Sequence, residues 1–407
     1  GSRVWAPSLT LPPRSAHHAP RGPRPFAVRR RPGRKSGARL LERAAGDEAF
    51  ADVIRANASR ERHARRRPPA EQGRRGRKYH ATTGIGHRAE RNARQPGADD
   101  DYAYVKPDTP LQSRTLRLVF FGTPEFAVSP LEALAREHEI ALVVAQPDKP
   151  SGRGMKMQAP AVAMKARAMG LPLAQPLRIR NDEFLASIAV LKPDAGIVVA
   201  YGKILPANLL SIPLHGFINV HASILPKYRG AAPIQRAIEH GETTTGVTIM
   251  RVDEQLDHGS MLAIEKTEIG PDERTPSLAS RLSTIGAEAL LRVLGSMPDG
   301  TPQDHNAATY APKIEKSEGA INWSHTAAAI YNKFRAFDPW PGIFAGELKL
   351  IDIAPVDGHG EPATILSANS DGVIVATGDG ALRLITVQRP GKPKAAAADI
   401  LRGASRL

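Results

Sequence analysis

Cysteine is missing from all 407 residues, which excludes a disulfide framework, a thiolate metal site and a cysteine nucleophile. No run of 18 apolar residues occurs either, so no membrane-spanning helix is expected and the chain reads as soluble and intracellular. Three cofactor signatures are also absent. The first apolar run, Leu116–Phe121, leads into Gly122-Thr123-Pro124 rather than G-x-G-x-x-G, which argues against a dinucleotide cofactor. No G-x-x-x-x-G-K-[ST] loop exists, because Gly202-Lys203 is followed by Ile204. No H-E-x-x-H pair occurs and the histidines do not cluster at zinc-ligand spacing, so no metal is expected.

Acidic residues are scarce at one end only. Residues 1–113 carry 25 Lys and Arg against 11 Asp and Glu, with Arg outnumbering Lys 22 to 3. The remaining 294 residues carry 31 against 30. Of the formal charge of +15, +14 therefore belongs to the first segment and says little about a polyanionic partner for the rest. Pro, Gly and His punctuate residues 1–113, and apolar periodicity is limited to Ala38–Ile54. Such a segment cannot bury enough apolar surface to offset its chain entropy, so disorder is expected there. An Arg-rich leader reads as a transit peptide to a mitochondrion or plastid, or as an arm that binds RNA by counterion release. The chain begins Gly1-Ser2 and has no Met before Met155. With Asp99-Asp100-Asp101 weighing against a transit peptide, translated upstream sequence foreign to the native protein is the expectation.

From Leu116 onward apolar runs alternate with helical patterns. Ile140–Gln146, Ala195–Ala200, Phe217–His221, Val247–Val252 and Met261–Thr267 read as strands after the first. Glu125–Glu137, Ala159–Met169, Asp182–Leu191, Ala231–His240 and Ser277–Leu294 read as helices. This order predicts an α/β domain over 114–299 with a Rossmann-like parallel sheet, whose ligands lie beyond the carboxyl ends of the strands. Residues 300–319 are polar and hold Pro and Gly, as a linker does. After a helix at Thr326–Phe337, short runs at Leu348–Ile353, Thr364–Leu366, Val373–Ala376 and Leu382–Val387 predict a small β-barrel domain over 320–407.

Within Phe217–His221, Asn219 and His221 are two apart and therefore face one side of the strand. An amide donor beside an imidazole at a carboxyl strand end can polarise a carbonyl. The alternative is that Asn219 caps a turn and His221 satisfies a buried backbone group. Asp257, in Leu256-Asp257-His258-Gly259, either forms a common turn or orients His221 and stabilises its charged form. Arg153, Lys156, Lys203, Lys227 and Arg229 are candidates to frame a site mouth. Lys333, Arg335, Arg389, Lys392 and Lys394 would extend a basic track over the second domain, or form a solvated surface.

Several of these motifs together resemble the 10-formyltetrahydrofolate-dependent formyltransferases. They are Phe121-Gly122-Thr123-Pro124-Glu125-Phe126-Ala127, Asn219-Val220-His221, Ser223-Ile224-Leu225-Pro226, and Asp257 placed 36 residues after His221. Arg229-Gly230-Ala231-Ala232-Pro233-Ile234-Gln235 and Phe334-Arg335-Ala336-Phe337-Asp338-Pro339-Trp340-Pro341-Gly342 resemble the branch that acts on methionyl-tRNA. The resemblance covers about 116 to 402. It implies Asn219, His221 and Asp257 as a catalytic triad, and Ser223, Ile224, Leu225 and Pro226 as lining for the folate. It also implies an oligonucleotide-binding-like barrel at the C-terminus. The loop Pro147–Pro160 would reach toward the tRNA acceptor end, with Arg153 and Lys156 as contacts and Arg229 beside them. The expected enzyme formylates initiator methionyl-tRNA from 10-formyltetrahydrofolate, without a metal or membrane, as a monomer in a bacterial cytoplasm. A formyltransferase acting on a sugar nucleotide or on glycinamide ribotide would share the same triad.

Overall fold

In the computed structural model, residues 114–151 and 155–407 are described; the predicted disorder of 1–113 lies outside them, as does Arg153. The first sheet grows from three apolar strands: β1 (Arg117–Gly122), β2 (Glu139–Val144) and β6 (Ala195–Val199). They are buried nearly throughout, the pattern of strands covered on both faces. The pleat splits β1 between two cores. Leu118 and Phe120 join one cluster, Val119 and Phe121 the other. The Phe121 ring meets Phe184, Tyr201 and Phe217 edge-on at 6.4, 5.2 and 5.4 Å, each pair adding about 0.5–1.5 kcal/mol beyond its buried area.

Helices α1 (Val128–Glu137), α2 (Ala161–Ala168), α3 (Asp182–Val190) and α4 (Ala207–Leu210) connect the strands. With β5 (Leu173–Ala174), β7 (Phe217–His221), β9 (Thr244–Arg251) and β10 (Met261–Glu268), the sheet has the order β10-β9-β7-β6-β1-β2-β5. It is parallel from β7 to β5. The expected parallel sheet is present, and one edge of it is antiparallel: β9 runs antiparallel to β7 and β10 antiparallel to β9. No crossover helix separates β9 from β10, so the chain can only return antiparallel.

Helix α6 (Thr275–Ser296) lies across this sheet. It approaches β7 so closely that a Cβ on Gly286 would stand 2.7 Å from Val220 Cγ1. Ile218 and Val220 therefore face α6 and its core, while Asn219 and His221 project from the opposite face.

Two short strand pairings were not expected, whereas the helix read at Ala231–His240 is present. The hairpin β3 (Lys149–Ser151) and β4 (Lys156–Gln158) flanks residues 152–154. The pair β8 (Arg229–Gly230) and β11 (Tyr310–Ala311) joins the region after β7 to the stretch read as a linker. Helix α5 (Pro233–Glu239) follows β8.

The second sheet is antiparallel. Helix α7 (Ala327–Ala336) precedes it, with the Thr326 hydroxyl accepting from Ala329 N at its start, a favoured N-cap. The order is β12-β13-β16-β15-β14, namely Ile343–Ala345, Leu348–Val356, Ala381–Gln388, Gly372–Ala376 and Ile365–Asn369. Strand β17 (Lys394–Ala396) pairs with the end of β16. Arg335 was expected on a basic track. It is 5% exposed, with Nη1 donating to Gly270 O and Glu273 O at 3.1 and 3.0 Å, so it ties α7 to the segment before α6 instead.

Candidate active site

Strand β7 carries the first half of the site. His221 is 5% exposed, and its Nε2 lies 2.9 Å from Tyr228 O. A carbonyl only accepts, so Nε2 holds the proton and donates. That leaves Nδ1 facing Asp257 Oδ2 at 3.7 Å. Both readings of His221 thus meet in one ring: one nitrogen satisfies a buried backbone group, and the other faces a carboxylate. Asn219 is half-buried, and its side-chain amide has no hydrogen-bond partner among the described residues. An unengaged amide beside an imidazole is free to donate to an oxygen that arrives with a substrate.

The loop between β9 and β10 carries the second half. Asp257 adopts φ +47°, a left-handed conformation that Asp tolerates better than most residues. Its Oδ2 accepts from Gly230 N at 2.7 Å. Gln303 Nε2 donates to Asp257 O and Gly259 O at 2.9 and 2.8 Å. Gln303 Oε1 accepts from Arg229 Nε and Nη2 at 3.1 and 2.6 Å, and Arg229 Nη2 lies 2.9 Å from His305 Nδ1. The His305 ring stacks on His258, centroids 3.9 Å apart, and His258 Nδ1 is 2.7 Å from Asp253 Oδ2. Residues 300–319 therefore do more than connect, since Gln303, His305 and Thr309 all reach the site; Thr309 O accepts from Arg229 N, and its hydroxyl accepts from Tyr228 N.

Arg229 requires a correction. It was expected to meet tRNA, but it is 3% exposed, and its guanidinium is taken up by Gln303 and His305. It braces the wall of the site. Lys156 is exposed on β4 and Lys227 is exposed after β7, so both stand free to meet an anion.

The stretch expected to line the folate forms a tight turn. Ser223 is fully buried, and its hydroxyl donates to Lys227 O at 2.6 Å. The Thr248 hydroxyl donates to Ser223 O and accepts from Leu225 N, and the Leu225–Pro226 peptide is cis. Leu225 is 2% exposed; Ile224 and Pro226 keep surface open. A cleft of about 570 Å³ lies elsewhere, between the stretch after β5 and the stretch after β6, lined by Leu177, Arg178, Ile179, Arg180, Asn181, Lys203 and Ile204. It opens beyond the carboxyl end of β6, the neighbour of β7 in the sheet. Tyr201 O accepts from Thr123 Oγ1 and Gln146 Nε2 at 3.0 and 3.1 Å, which laces the ends of β1, β2 and β6 together. Burial, and then the charge of Lys149, lower the pKa of Lys203 at the rim.

Sequence reasoning missed the cleft, Gln303 and Thr309. An Ile-Leu-Pro run after a Gly-Lys pair carries no motif of its own. Gln303 is a single neutral residue whose partners are 44 to 74 positions away.

Fold and site together fit an acyl-transfer enzyme on an α/β sheet, followed in the chain by an antiparallel β-sheet. The family profile for formyl transferases matches residues 116–294, and the profile for the formyl transferase C-terminal domain matches 313–405. The chain belongs to the formyl transferase family. A methionyl-tRNA formyltransferase of Thermus thermophilus is 45% identical over 293 residues, covering 71% of this chain and 96% of that protein. One from Aromatoleum aromaticum is 46% identical over 297 residues, covering 71% and 94%. Among solved structures, an N-formyltransferase from Helicobacter canadensis, in complex with folinic acid and dTDP-3-aminofucose, superposes with a TM-score of 0.51. It is 16% identical and covers 66% of this chain and 99% of that one; at that identity the likeness bears on the fold alone.

Proposed function

We propose that this chain transfers the formyl group of 10-formyltetrahydrofolate to the α-amino group of initiator methionyl-tRNA, with Asn219, His221 and Asp257 as the catalytic residues. The observation that carries the residue roles is the pairing of buried His221, at the carboxyl end of β7, with half-buried Asp257, beside an amide with no partner of its own among the described residues. What supports the substrate is the family, and relatives of that name that align along nearly their whole length.

The methionyl amine attacks the formyl carbon, and the carbonyl electron pair moves onto oxygen. Asn219 donates to that oxygen, and His221, when protonated at Nδ1, places its positive charge beside it. A pre-aligned donor and a fixed positive charge stabilise the developing charge far more than water does. Asp257 stabilises the imidazolium and takes up the amine proton through a water. The oxygen's electron pair then re-forms the carbonyl, the bond to the folate nitrogen breaks with its electron pair staying on that nitrogen, and the proton taken up at Asp257 passes to it.

The formyl donor is a substrate, and the cleft after β6 suits it. Leu177, Ile179 and Ile204 offer an apolar wall to a flat heteroaromatic ring, and Arg178, Arg180 and Lys203 offer charge to a carboxylate tail. Ile224 and Pro226 would border the same donor from the β7 side. Arg153, outside the described residues, and Lys156 belong to the tRNA contact in this reading. Residues 114–299 catalyse, and 320–407 help bind tRNA. Residence in a bacterial cytoplasm as a monomer completes the proposal.

The test is formyl transfer by purified protein to methionyl-tRNA, to a dTDP-amino sugar and to glycinamide ribotide, side by side. Transfer to methionyl-tRNA alone is expected. Efficient transfer to either small amine, with none to tRNA, overturns the reading.

A further inference from the structure

Gln303 lies between the two sheets, in a stretch whose composition is that of a connector. It is 5% exposed, and its amide is fully used. Both N–H groups donate to carbonyls of one loop, Asp257 O and Gly259 O at 2.9 and 2.8 Å. Its oxygen accepts twice from the Arg229 guanidinium. Arg229 adjoins Gly230, whose N–H donates to the Asp257 carboxylate at 2.7 Å. A single amide therefore holds the backbone of Asp257 and, through Arg229, the strand that aims its carboxylate.

We propose that Gln303 is a positioning residue for Asp257: it fixes the left-handed turn that presents the Asp257 carboxylate to His221 Nδ1. The proposal rests on the catalytic role of Asp257 given above. The chemistry of the position is demanding. Two carbonyls facing one side chain require two donors, and a guanidinium facing the same side chain requires an acceptor. Only a carboxamide supplies both without a net charge. Glutamine also has the reach, one methylene longer than asparagine. Leaving the two carbonyls unpaired in a buried site would favour a shifted loop. The His221–Asp257 separation is already 3.7 Å, so a shift of about an ångström separates the pair, and misplacement on that scale costs on the order of 100-fold in rate.

The placement has a second consequence. Eight residues of chain lead from Gln303 to Ala311, which pairs with Gly230 and accepts from Ala231 N. The segment leading into the second domain is thus bonded on both sides of the site, so the carboxylate is set partly by residues outside the first sheet.

Gln303→Met keeps the length and removes every hydrogen bond. Gln303→Glu keeps acceptors for Arg229 and removes both donors. Each full-length variant is measured with 10-formyltetrahydrofolate and methionyl-tRNA for kcat, KM and the pH profile of kcat/KM. Binding of 5-formyltetrahydrofolate reports the fold. Asp257→Asn is run beside them. In both Gln303 variants kcat falls about tenfold or more, as expected for a displaced catalytic group. Both KM values stay within about threefold if binding is untouched, and the limb of the pH profile that Asp257→Asn alters moves in the same direction. A kcat within about twofold of the parent protein overturns the proposal. So does a rise in KM with kcat unchanged, or loss of folate-analogue binding in both variants. If Asp257→Asn itself keeps full turnover, the catalytic reading of Asp257 falls; if only the Gln303 variants do, the positioning role falls alone.

Discussion

Strand β7 and the loop at 252–260 each supply part of one site, and they hold their side chains by different means. Asn219 and His221 stand on a strand paired on both sides, to β6 and β9. The pleat aims them, and Val220 is packed under α6 on the far face. Asp257 stands on a turn with φ +47°. Its geometry comes from Gly230, 27 residues earlier, and Gln303, 46 residues later. The comparison teaches that a strand end fixes direction by local geometry, whereas a loop residue needs donors brought from elsewhere in the fold. Damage to the strand half should strike chemistry and spare the fold, and damage to the backbone of the loop itself should strike both.

The largest expected effect is on the strand. His221→Ala should lower kcat by at least about 10³-fold, within the range for removing a positioned acid–base group, while folate-analogue binding and the circular dichroism spectrum stay as in the parent. Asn219→Ala should cost about 10²- to 10³-fold in kcat, roughly 3–4 kcal/mol, the usual effect of losing one oxyanion donor. Single-turnover kinetics checks both, and wild-type rates in the Asn219 variant would remove it from the oxyanion site.

On the loop side, Gly259→Ala sharpens the contrast. A Cβ there would stand 2.1 Å from Arg251 O, a backbone atom, so the loop itself must move. Overpacking of this kind costs about 1–3 kcal/mol of stability, and a displaced Asp257 adds a loss of about tenfold or more in kcat. Thermal unfolding and turnover, measured together, should both fall, unlike in the Asn219 variant. The smallest effect belongs to Arg153→Ala. It should weaken methionyl-tRNA use, leave folate binding unchanged, and make the salt dependence of tRNA binding shallower by about one unit of slope. Equal slopes would exclude a phosphate contact at Arg153.

The strand half was legible in the sequence and the loop half only partly so. Apolar runs such as Leu116–Phe121 and Phe217–His221 announce buried strands, because a strand covered on both faces has no polar side to show. The period of two places Asn219 and His221 together without any structure. Asp257 was reached through resemblance, because Asp-His-Gly has no local feature that separates an active-site turn from an ordinary one. Arg229 and Arg335 were read as surface charge, since sequence carries charge but not the carbonyls, amides and imidazoles that accompany it inside. The antiparallel edge at β9 and β10 was missed because α5 stands between β7 and β9, the pattern of a parallel crossover, although β9 runs antiparallel to β7. Gln303 was invisible for a similar reason: its partners are defined only once three distant segments meet.

The central claim is that the strand half and the loop half act as one catalytic unit, and a double-mutant cycle on the transfer rate tests it most directly. His221→Ala, Asp257→Asn and the combined variant are compared with the parent protein in single-turnover formylation of methionyl-tRNA. Residues that work as a unit are strongly non-additive. The combined variant should therefore transfer formyl no more slowly than His221→Ala alone. If instead the two losses multiply, Asp257 acts independently of His221 and the pairing at the heart of the account is wrong.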